Sequence, residues 1–253
     1  MFRSRDVAIV FDFDGTIAET ERLGHRVAYN EAFAELGLQW RWDDALYARL
    51  LQTGGGKERL MSYFAEAAPE RALDAAFAAR VHRVKQKHFR RVAYALPIRP
   101  GIVRLVTEAR DAGAALAIAT TASLDSVRAV IDGSPPLAEA FDVIASGDDV
   151  AAKKPAPDVY RVALARLGRT PESCVAIEDS ALGLRSARAA GLLTIVTPSA
   201  YTIGENFAGA AAVVDSLGEP DAPVATLAGP PPVLGYVDLA YLTARLNAAP
   251  HEA

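Results

Sequence analysis

The sequence has a single cysteine, Cys174, and lacks any long apolar run. One thiol cannot form a disulfide within the chain, and its strand-like apolar surroundings predict a buried structural cysteine. A bilayer span needs about 20 consecutive apolar residues, which the sequence does not contain, and residues 1–5 lack the apolar segment of a signal peptide. We therefore expect a cytoplasmic protein with no membrane partner.

An excess of positive charge is also lacking. Lys and Arg number 27 against 31 Asp and Glu, which leaves a net charge of −4. Proteins that bind nucleic acid usually carry a basic surface, so we expect no nucleic-acid partner, and a phosphorylated ligand would need a locally positive site. With 253 residues, 51% of them hydrophobic and 23% charged, the chain has room for one large domain and a smaller one.

The apolar run of residues 7–11 ends in Asp12 and Asp14, with Gly15 directly after them. Side chains two apart on a strand share a face, so both carboxylates can emerge together where the strand ends, and Gly15 permits a tight turn. Two acids at the end of a buried strand need a shared proton or a cation, and a hard divalent cation suits their oxygens. The plainer interpretation is a strand that ends in an acidic turn.

Residues 19–96 show helix-like spacing of apolar side chains, for example over 73–77, and no clear strand alternation, which predicts an all-helical insert. Short apolar strands then alternate with helices. This order is typical of an α/β fold with a parallel sheet covered on both faces. The later predicted strands span residues 115–120, 141–145, 173–177, 192–196 and 211–214, and the predicted helices between them span 102–112, 124–131, 158–167 and 182–190.

These patterns divide the chain into three parts. Residues 1–18 and 97–217 form the predicted α/β core, and residues 19–96 form the helical insert. Residues 218–253 are predicted to be a linker rich in Gly and Pro, then a C-terminal helical extension over 233–247 with a frayed end at 248–253.

Polar side chains follow further predicted strands, where ligands of parallel sheets bind. They are the hydroxyls of Thr120, Thr121 and Ser123, the ammonium of Lys154, and the carboxylates of Glu178 and Asp179. Hydroxyls and free backbone donors at such a turn suit a phosphate oxygen, although these residues also cap helices. Taken alone, Lys154 and its neighbour Lys153 have the plainer interpretation of solvated lysines.

In combination these segments resemble the haloacid-dehalogenase-superfamily phosphatases. The superfamily's four motifs match, in the same order, Asp12-x-Asp14-Gly15-Thr16, the Thr120 segment, Lys154 and the Glu178–Asp179 pair. Four motifs in one order are far more specific than any one of them. The resemblance implies a Rossmann-like core with parallel sheet and an inserted all-helical cap domain.

The resemblance also implies the roles of the residues. Asp12 is the nucleophile that forms an aspartyl-phosphate, and Thr120 and Lys154 hold the reacting phosphate. Asp14 is the general acid and base, and it must start protonated, which nearby anionic groups favour. Related dehalogenases lack an acid at that position, so Asp14 favours phosphate-ester chemistry.

Mg²⁺ is the implied cofactor. Asp12, Asp179 and the backbone oxygen of Asp14 would hold the ion, with Glu178 in support through water. Hard oxygen ligands of this kind are the ones that Mg²⁺ prefers.

The cap stretch of residues 53–59 combines glycines with two cations, and a second phosphate on the substrate would fit there, although a solvated loop before a helix is the plainer interpretation. Over residues 12–21, 53–59, 119–123, 153–160 and 178–191 the chain is similar to the xylulose-1,5-bisphosphate phosphatases. This resemblance implies removal of the 1-phosphate of a small phosphorylated sugar that inhibits Rubisco. The implied substrate-binding residues are Glu19 at the sugar hydroxyls, Lys57 and Arg59 at the remote phosphate, and Gly54, Gly55, Thr121 and Ser123.

Two other enzymes and one binding protein remain as alternatives: a phosphoglycolate phosphatase, a β-phosphoglucomutase-like enzyme, and a non-catalytic protein on the same fold. Retention of all the motif residues argues against the last. Mutase relatives commonly carry a histidine ten residues after the second aspartate, where this chain has Gly24 and then His25. One step along a helix turns a side chain by about 100°, so we expect His25 to lie outside the site. This expectation argues against a mutase. We expect a monomer.

Overall fold

The computed structural model describes residue 3 and residues 6–69 and 74–249, and a seven-stranded sheet lies at its centre. The strands are β1 Ala8–Phe11, β2 Ala115–Ala119, β3 Val143–Ala145, β4 Cys174–Glu178, β5 Leu193–Val196, β6 Ala212–Val214 and β7 Thr226–Ala228. Their order across the sheet is β3-β2-β1-β4-β5-β6-β7. Strands β1 to β6 run parallel, and β7 pairs antiparallel with β6 at the edge.

Helices cover both faces of this sheet, so the predicted α/β class is confirmed. They are α1 Arg26–Glu35, α2 Asp44–Leu50, α3 Gly56–Ala67, α4 Ala75–Ala93, α5 Ile102–Asp111, α6 Leu124–Ile131, α7 Pro135–Ala138, α8 Asp158–Leu167, α9 Ala181–Ala189 and α10 Leu239–Ala248, with a π-helical turn at Glu21–His25 before α1. Within the described part of the chain, no helix combines the length and the apolar character that a bilayer span requires.

Strand β1 shows how the sequence builds the two layers. Ile9 and Phe11 pack on one face with α5, α6 and α10, whereas Ala8 and Val10 pack on the other face with α8 and α9. All four side chains are fully buried, as expected for a central parallel strand. Phe11 pairs with Ile118 of β2 and with Ile177 of β4, so Asp12 emerges level with the ends of both neighbouring strands.

Residues 19–96, here called the cap segment, contain helices and turns but no strand among their described residues. Helices α1 to α4 enclose a cluster of aromatic side chains, among them Tyr29, Phe33, Trp42 and Tyr47. The predicted helix-like stretch 73–77 begins at a residue outside the described part, and α4 begins at Ala75. The chain enters and leaves the cap segment side by side, because Ala18 bridges to Ile98.

The C-terminal part differs from the prediction of a plain linker. Strand β7 lies within residues 218–232, and three residues are too few to show the alternation that identifies a strand from sequence. Helix α10 is shorter than predicted at its start, and it buries Leu239, Leu242 and Leu246 in the same cluster as the sheet. Of the predicted frayed end, residues 250–253 lie outside the described residues.

Replacing a buried leucine of α10 tests whether this extension belongs to the core. We expect Leu242→Ala to lower the free energy of unfolding by about 3 kcal/mol, because it leaves a cavity against the sheet cluster. Val233→Ala is the control, since the side chain of Val233 is 97% exposed, and it should change the free energy by less than about 0.5 kcal/mol. Equilibrium urea unfolding measures both, and equally small effects would show that α10 contributes little to the core.

Candidate active site

A buried ammonium group lies between two carboxylates at the carboxyl edge of the sheet. Lys154 Nζ lies 2.6 Å from Asp12 Oδ1 and 2.6 Å from Glu178 Oε1 and donates to both. The Lys154 side chain is only 5% exposed. Burial alone would lower its pKa, but Asp12 and Glu178 raise it, so Lys154 is charged. Tyr160 of α8 supports the group, with its hydroxyl donating to Glu178 Oε1 at 2.7 Å.

A third acid, Asp179, lies beside the two that contact Lys154. Asp12, Glu178 and Asp179 are buried, and one carboxylate oxygen from each lies within 4.8 Å of the others. Burial raises the pKa of Asp12 to about 7 against the opposing effect of Lys154. Burial and the charges of Asp12 and Glu178 hold the pKa of Asp179 well above its usual value. Hard oxygen donors with an excess of negative charge fit a divalent cation.

Gly15 makes the close approach of this cluster possible. Its φ is +83°, which a residue with a side chain rarely adopts. A Cβ atom at this position would collide with the carboxylate of Asp179. The turn predicted after Asp14 therefore also allows the chain that follows β1 to pack directly on Asp179, which follows β4.

The Asp14 carboxylate is held by the start of the cap segment. Thr20 Oγ1 donates to Asp14 Oδ1 at 2.5 Å, and His25 Nε2 lies 3.0 Å from the same oxygen. Burial alone would raise the pKa of Asp14, but His25 and Thr20 outweigh burial and lower it to about 2. The expectation that nearby anions keep Asp14 protonated is therefore wrong for this arrangement.

The expectation that His25 lies outside the site is also wrong, and the reason is a local change of helix type. Residues Glu21–His25 form a π-helical turn, closed by the amide of Arg26 donating to the carbonyl of Glu21. A π turn holds one more residue than an α turn, so it absorbs the single-residue displacement of the histidine. His25 then stacks on Phe89 of α4, with ring centroids 4.1 Å apart, and reaches Asp14.

Lys85 of α4 contacts the other ring nitrogen of His25. Its Nζ lies 2.8 Å from His25 Nδ1, and burial lowers the pKa of Lys85 to about 7. When Lys85 is an ammonium it can only donate, so Nδ1 then accepts and Nε2 directs its proton to Asp14. Lys85 does not stand out in sequence, and His25 was expected outside the site, because the direction of a helical side chain depends on tertiary packing.

Two adjoining cavities separate the cap segment from the sheet edge. The catalytic cavity is lined by Asp12, Asp14, Lys154 and Asp179, and, of the residues predicted to bind substrate, by Gly54, Arg59 and Thr121. The second cavity is lined by Asp14, His25 and Lys85, and it includes Gly55, Arg59, Thr121 and Ser123 from the predicted set. Arg59 and Thr121 thus belong to both.

Arg59 is a buried cation that the cap segment contributes to the walls of both cavities. Its Nη1 donates to the Tyr47 hydroxyl at 3.0 Å, and that hydroxyl donates in turn to Glu21. Arg59 Nε has no hydrogen-bond partner among the described residues. Lys57 is exposed and, with Lys153, lines an outer groove that adjoins the second cavity at Gly55, Thr121 and Ser123.

Two predicted residues have other partners here. Glu19 Oε1 lies 3.2 Å from Arg99 Nε, and Glu19 lines neither of the two cavities, whereas Glu21 lines both. Glu19 precedes the π turn and is held by Pro97 and Arg99, whereas Glu21 is the first residue of that turn. Thr120 is buried, and its hydroxyl accepts from the amide of Ala122 at 3.0 Å.

Gly24 gives a test of the π turn. A Cβ atom there would lie 2.8 Å from Phe89 Cε2 and 2.9 Å from Leu96 Cδ1. We expect Gly24→Ala to push the turn away from Phe89, cost about 2 kcal/mol of unfolding free energy, and move His25 away from Asp14. Urea unfolding and the ¹⁵N chemical shifts of the His25 ring measure these effects.

The matched control is Gly204→Ala, because a Cβ atom at Gly204 meets nothing within 4 Å. It should leave both the stability and the His25 signals unchanged. Adding Leu96→Val to Gly24→Ala should recover part of the loss by making space. Unchanged His25 signals in Gly24→Ala would contradict the role given to the turn.

Comparison with known proteins agrees with this geometry. A family model for haloacid dehalogenase-like hydrolases matches residues 7–191. Protein CbbY (plasmid) of Cupriavidus necator is 47% identical over 230 residues, 86% of this chain and 88% of the relative. Protein CbbY of Cereibacter sphaeroides is 49% identical over 220 residues, 84% of this chain and 93% of the relative.

A solved structure is similar over the same region. It is a CbbY mutant from Rhodobacter sphaeroides in complex with xylulose-(1,5)bisphosphate, 49% identical, with a TM-score of 0.76 and coverage of 83% of this chain and 93% of the other. The matched region contains all the acids and the lysine of the site described above. The chain therefore belongs to the haloacid dehalogenase-like hydrolases, and within them it is a phosphatase.

Proposed function

We propose that this phosphatase hydrolyses the 1-phosphate of xylulose 1,5-bisphosphate to give xylulose 5-phosphate, with Mg²⁺ as cofactor. The contact of the buried Lys154 ammonium with Asp12 is the observation that carries the phosphoryl chemistry. The substrate is supported by the sugar bisphosphate bound to the 49% identical CbbY mutant. A second buried cation, Arg59, on the wall of the same cavity suits a substrate with two phosphates.

Asp12 is the nucleophile in this proposal. Its carboxylate oxygen attacks the phosphorus, the bond from phosphorus to the sugar oxygen breaks, and an aspartyl-phosphate forms. Lys154 donates to Asp12 and offsets the repulsion between the carboxylate and the anionic phosphoryl group. Water then attacks the phosphorus, which releases inorganic phosphate and restores Asp12.

In this proposal Asp14 is the general acid in the first step and the general base in the second. It gives a proton to the departing sugar oxygen and later takes one from the attacking water. We propose that His25 and Lys85 supply the first proton: as Nε2 of His25 gives its proton to Asp14, Nδ1 takes one from Lys85. The contacts of 3.0 Å and 2.8 Å and the lowered pKa of Lys85, about 7, support this path.

Asp12, Asp179 and the backbone oxygen of Asp14 would hold Mg²⁺, with Glu178 in support through water. The fit rests on three buried carboxylates close together, only two of which contact the Lys154 ammonium. When bound, Mg²⁺ supplies positive charge that stabilises the transferring phosphoryl group.

On the wall that the cap segment contributes to the cavity, we propose Arg59 for the remote phosphate and Glu21 for the sugar hydroxyls. Glu21 takes the place first given to Glu19 because it lines the cavity, 3.7 Å from Arg59. Lys57 would steer the anionic substrate from the outer groove. Removal of this sugar bisphosphate by a cytoplasmic monomer would relieve inhibition of Rubisco.

A β-phosphoglucomutase-like activity is the second candidate. The contact between His25 and Asp14 removes the argument that the sequence raised against it. Such an enzyme would move a phosphoryl group between positions on one sugar and release little free phosphate.

A substrate panel with Mg²⁺ separates these functions. We expect kcat/KM for phosphate release from xylulose 1,5-bisphosphate to exceed that from ribulose 1,5-bisphosphate, 2-phosphoglycolate and β-glucose 1-phosphate by about 100-fold, since two phosphates and a fixed sugar are recognised together. Phosphate release and sugar-phosphate isomerisation are measured in parallel. A flat profile would refute the substrate, and isomerisation of glucose 1-phosphate would favour the mutase.

Asp12→Asn should abolish turnover in the same assay while its thermal unfolding stays close to that of the unchanged protein. If Asp12→Asn turned over at the rate of the unchanged protein, Asp12 would not be the nucleophile.

Arg59→Met tests the remote-phosphate contact with little change in side-chain volume. We expect kcat/KM to fall about 30-fold for the bisphosphate but less than about threefold for 2-phosphoglycolate, because only the former has a second phosphate for the guanidinium. Lys57→Ala should also lower kcat/KM more for the bisphosphate than for 2-phosphoglycolate. The decrease should be smaller than for Arg59→Met, since Lys57 is exposed. Equal losses on both substrates would refute the remote-phosphate role.

A further inference from the structure

The cap segment contacts the rest of the protein through two separate groups of contacts, which we call its two sides. On one side Gln86 Nε2 of α4 donates to Ser123 Oγ at 2.8 Å, and Arg90 pairs with Asp125 at 2.6 Å. This side lies close to the two chain crossings, because α4 ends at Ala93 and the chain leaves the cap segment a few residues later. We call it the hinge side.

The other side carries contacts from α2 and from the loop after it to the β5–β6 loop, residues 197–211. The Tyr201 hydroxyl donates to Asp44 Oδ1 at 2.7 Å, and its ring packs on Tyr47 with centroids 5.7 Å apart. Gln52 Nε2 donates to Glu205 Oε1 at 2.9 Å. They hold residues 44–52 of the cap segment to the β5–β6 loop, so an opening about the hinge side that separates these two segments has to break them.

Glu205 also touches the segment that follows the acidic pair. Its second oxygen, Oε2, accepts from the amide of Ala181 at 2.6 Å, and Ala181 is the first residue of α9. In the same loop Thr202 Oγ1 donates to the carbonyl of Asp179 at 2.7 Å. One carboxylate therefore joins the cap segment to the backbone that presents Asp179.

The cap loop of residues 51–55 also meets Lys154. A Cβ atom at Gly54 would lie 2.5 Å from the Lys154 carbonyl oxygen and 3.3 Å from Leu182 Cδ2. Gly54 is two residues from Gln52. The contact between Gln52 and Glu205 thus holds the loop in the position where Gly54 packs on the backbone of the catalytic lysine.

We propose that Glu205 is a positioning residue that fastens the closed cap to the site. Its two oxygens link the 51–55 loop, through Gln52, to the start of α9, and Tyr201 adds a second contact through Asp44. Closure of the cavity therefore depends on the same residue that steadies the segment after Asp179. The kinetic part of the test rests on the proposed function, and the exchange part does not.

Hydrogen exchange tests the link without any substrate. The full chain is compared in Mg²⁺ and inorganic phosphate as the unchanged protein, Glu205→Ala and Glu205→Gln. We expect Glu205→Ala to raise exchange about tenfold in residues 44–55 and at the start of α9, while residues 86–93 on the hinge side keep their rates. Glu205→Gln should stay close to the unchanged protein, because Gln52 can turn its amide to accept from the new side-chain NH₂.

Glu66→Ala is the control, since Glu66 is an exposed acid that pairs with Arg49 inside the cap segment at 2.7 Å. It should leave exchange in residues 51–55 unchanged. Faster exchange in α9 alone, with no change in residues 44–55, would overturn the proposal, because Glu205 would then act only on the helix. Equal effects of Glu205→Ala and Glu205→Gln would overturn the hydrogen-bonded link.

A double-mutant cycle gives the kinetic test. Gln52→Ala should lower kcat/KM for xylulose 1,5-bisphosphate, Glu205→Ala should lower it about tenfold, and the double variant should lose no more than Glu205→Ala alone, since Gln52→Ala breaks only a contact that Glu205→Ala also breaks. Losses that multiply in the double variant would overturn the proposal. Failure of the unchanged protein to hydrolyse the bisphosphate would instead refute the proposed function, and the exchange result would still stand.

Discussion

The concentration of negative charge at the end of β1 is the constraint on which the site depends. Asp12, Glu178 and Asp179 are buried within 4.8 Å of one another, and burying like charges together is unfavourable unless cations compensate them. Lys154 supplies one positive charge through two contacts of 2.6 Å. The remaining negative charge makes the cluster suited both to a divalent cation and to phosphoryl chemistry.

Parallel topology makes this concentration possible. The sheet register brings the ends of β1, β2 and β4 to one edge, where Asp12 and Glu178 leave adjacent strands. Gly15 then allows the chain to pass directly over Asp179. The core supplies the acids and the lysine, whereas the partners of Asp14 come from the start of the cap segment and from α4.

The site is therefore complete only when the cap segment and the core are packed together. His25 reaches Asp14, Arg59 closes the cavity wall, and Gln52 contacts Glu205 from the cap segment. In the proposed function, a substrate that fills the cavity would stabilise this closed arrangement and keep bulk water away from the reacting phosphate. Substrate recognition and assembly of the proposed proton-transfer group would then belong to one conformational state.

By itself the sequence determined the parallel sheet and the placement of Asp12, Glu178 and Asp179 at one edge, because apolar strands that end in polar residues are local patterns and parallel strands end together. Lys154 was grouped with these acids only through the resemblance of four motifs in one order. Only the tertiary structure decided that His25 enters the site and that Glu21, rather than Glu19, lines the cavity. The direction of a helical side chain depends on how the helix is wound, and the π turn at Gly24 exists where it packs against Phe89 and Leu96. Such packing joins residues more than 60 positions apart in the chain, so no local pattern of the sequence records it.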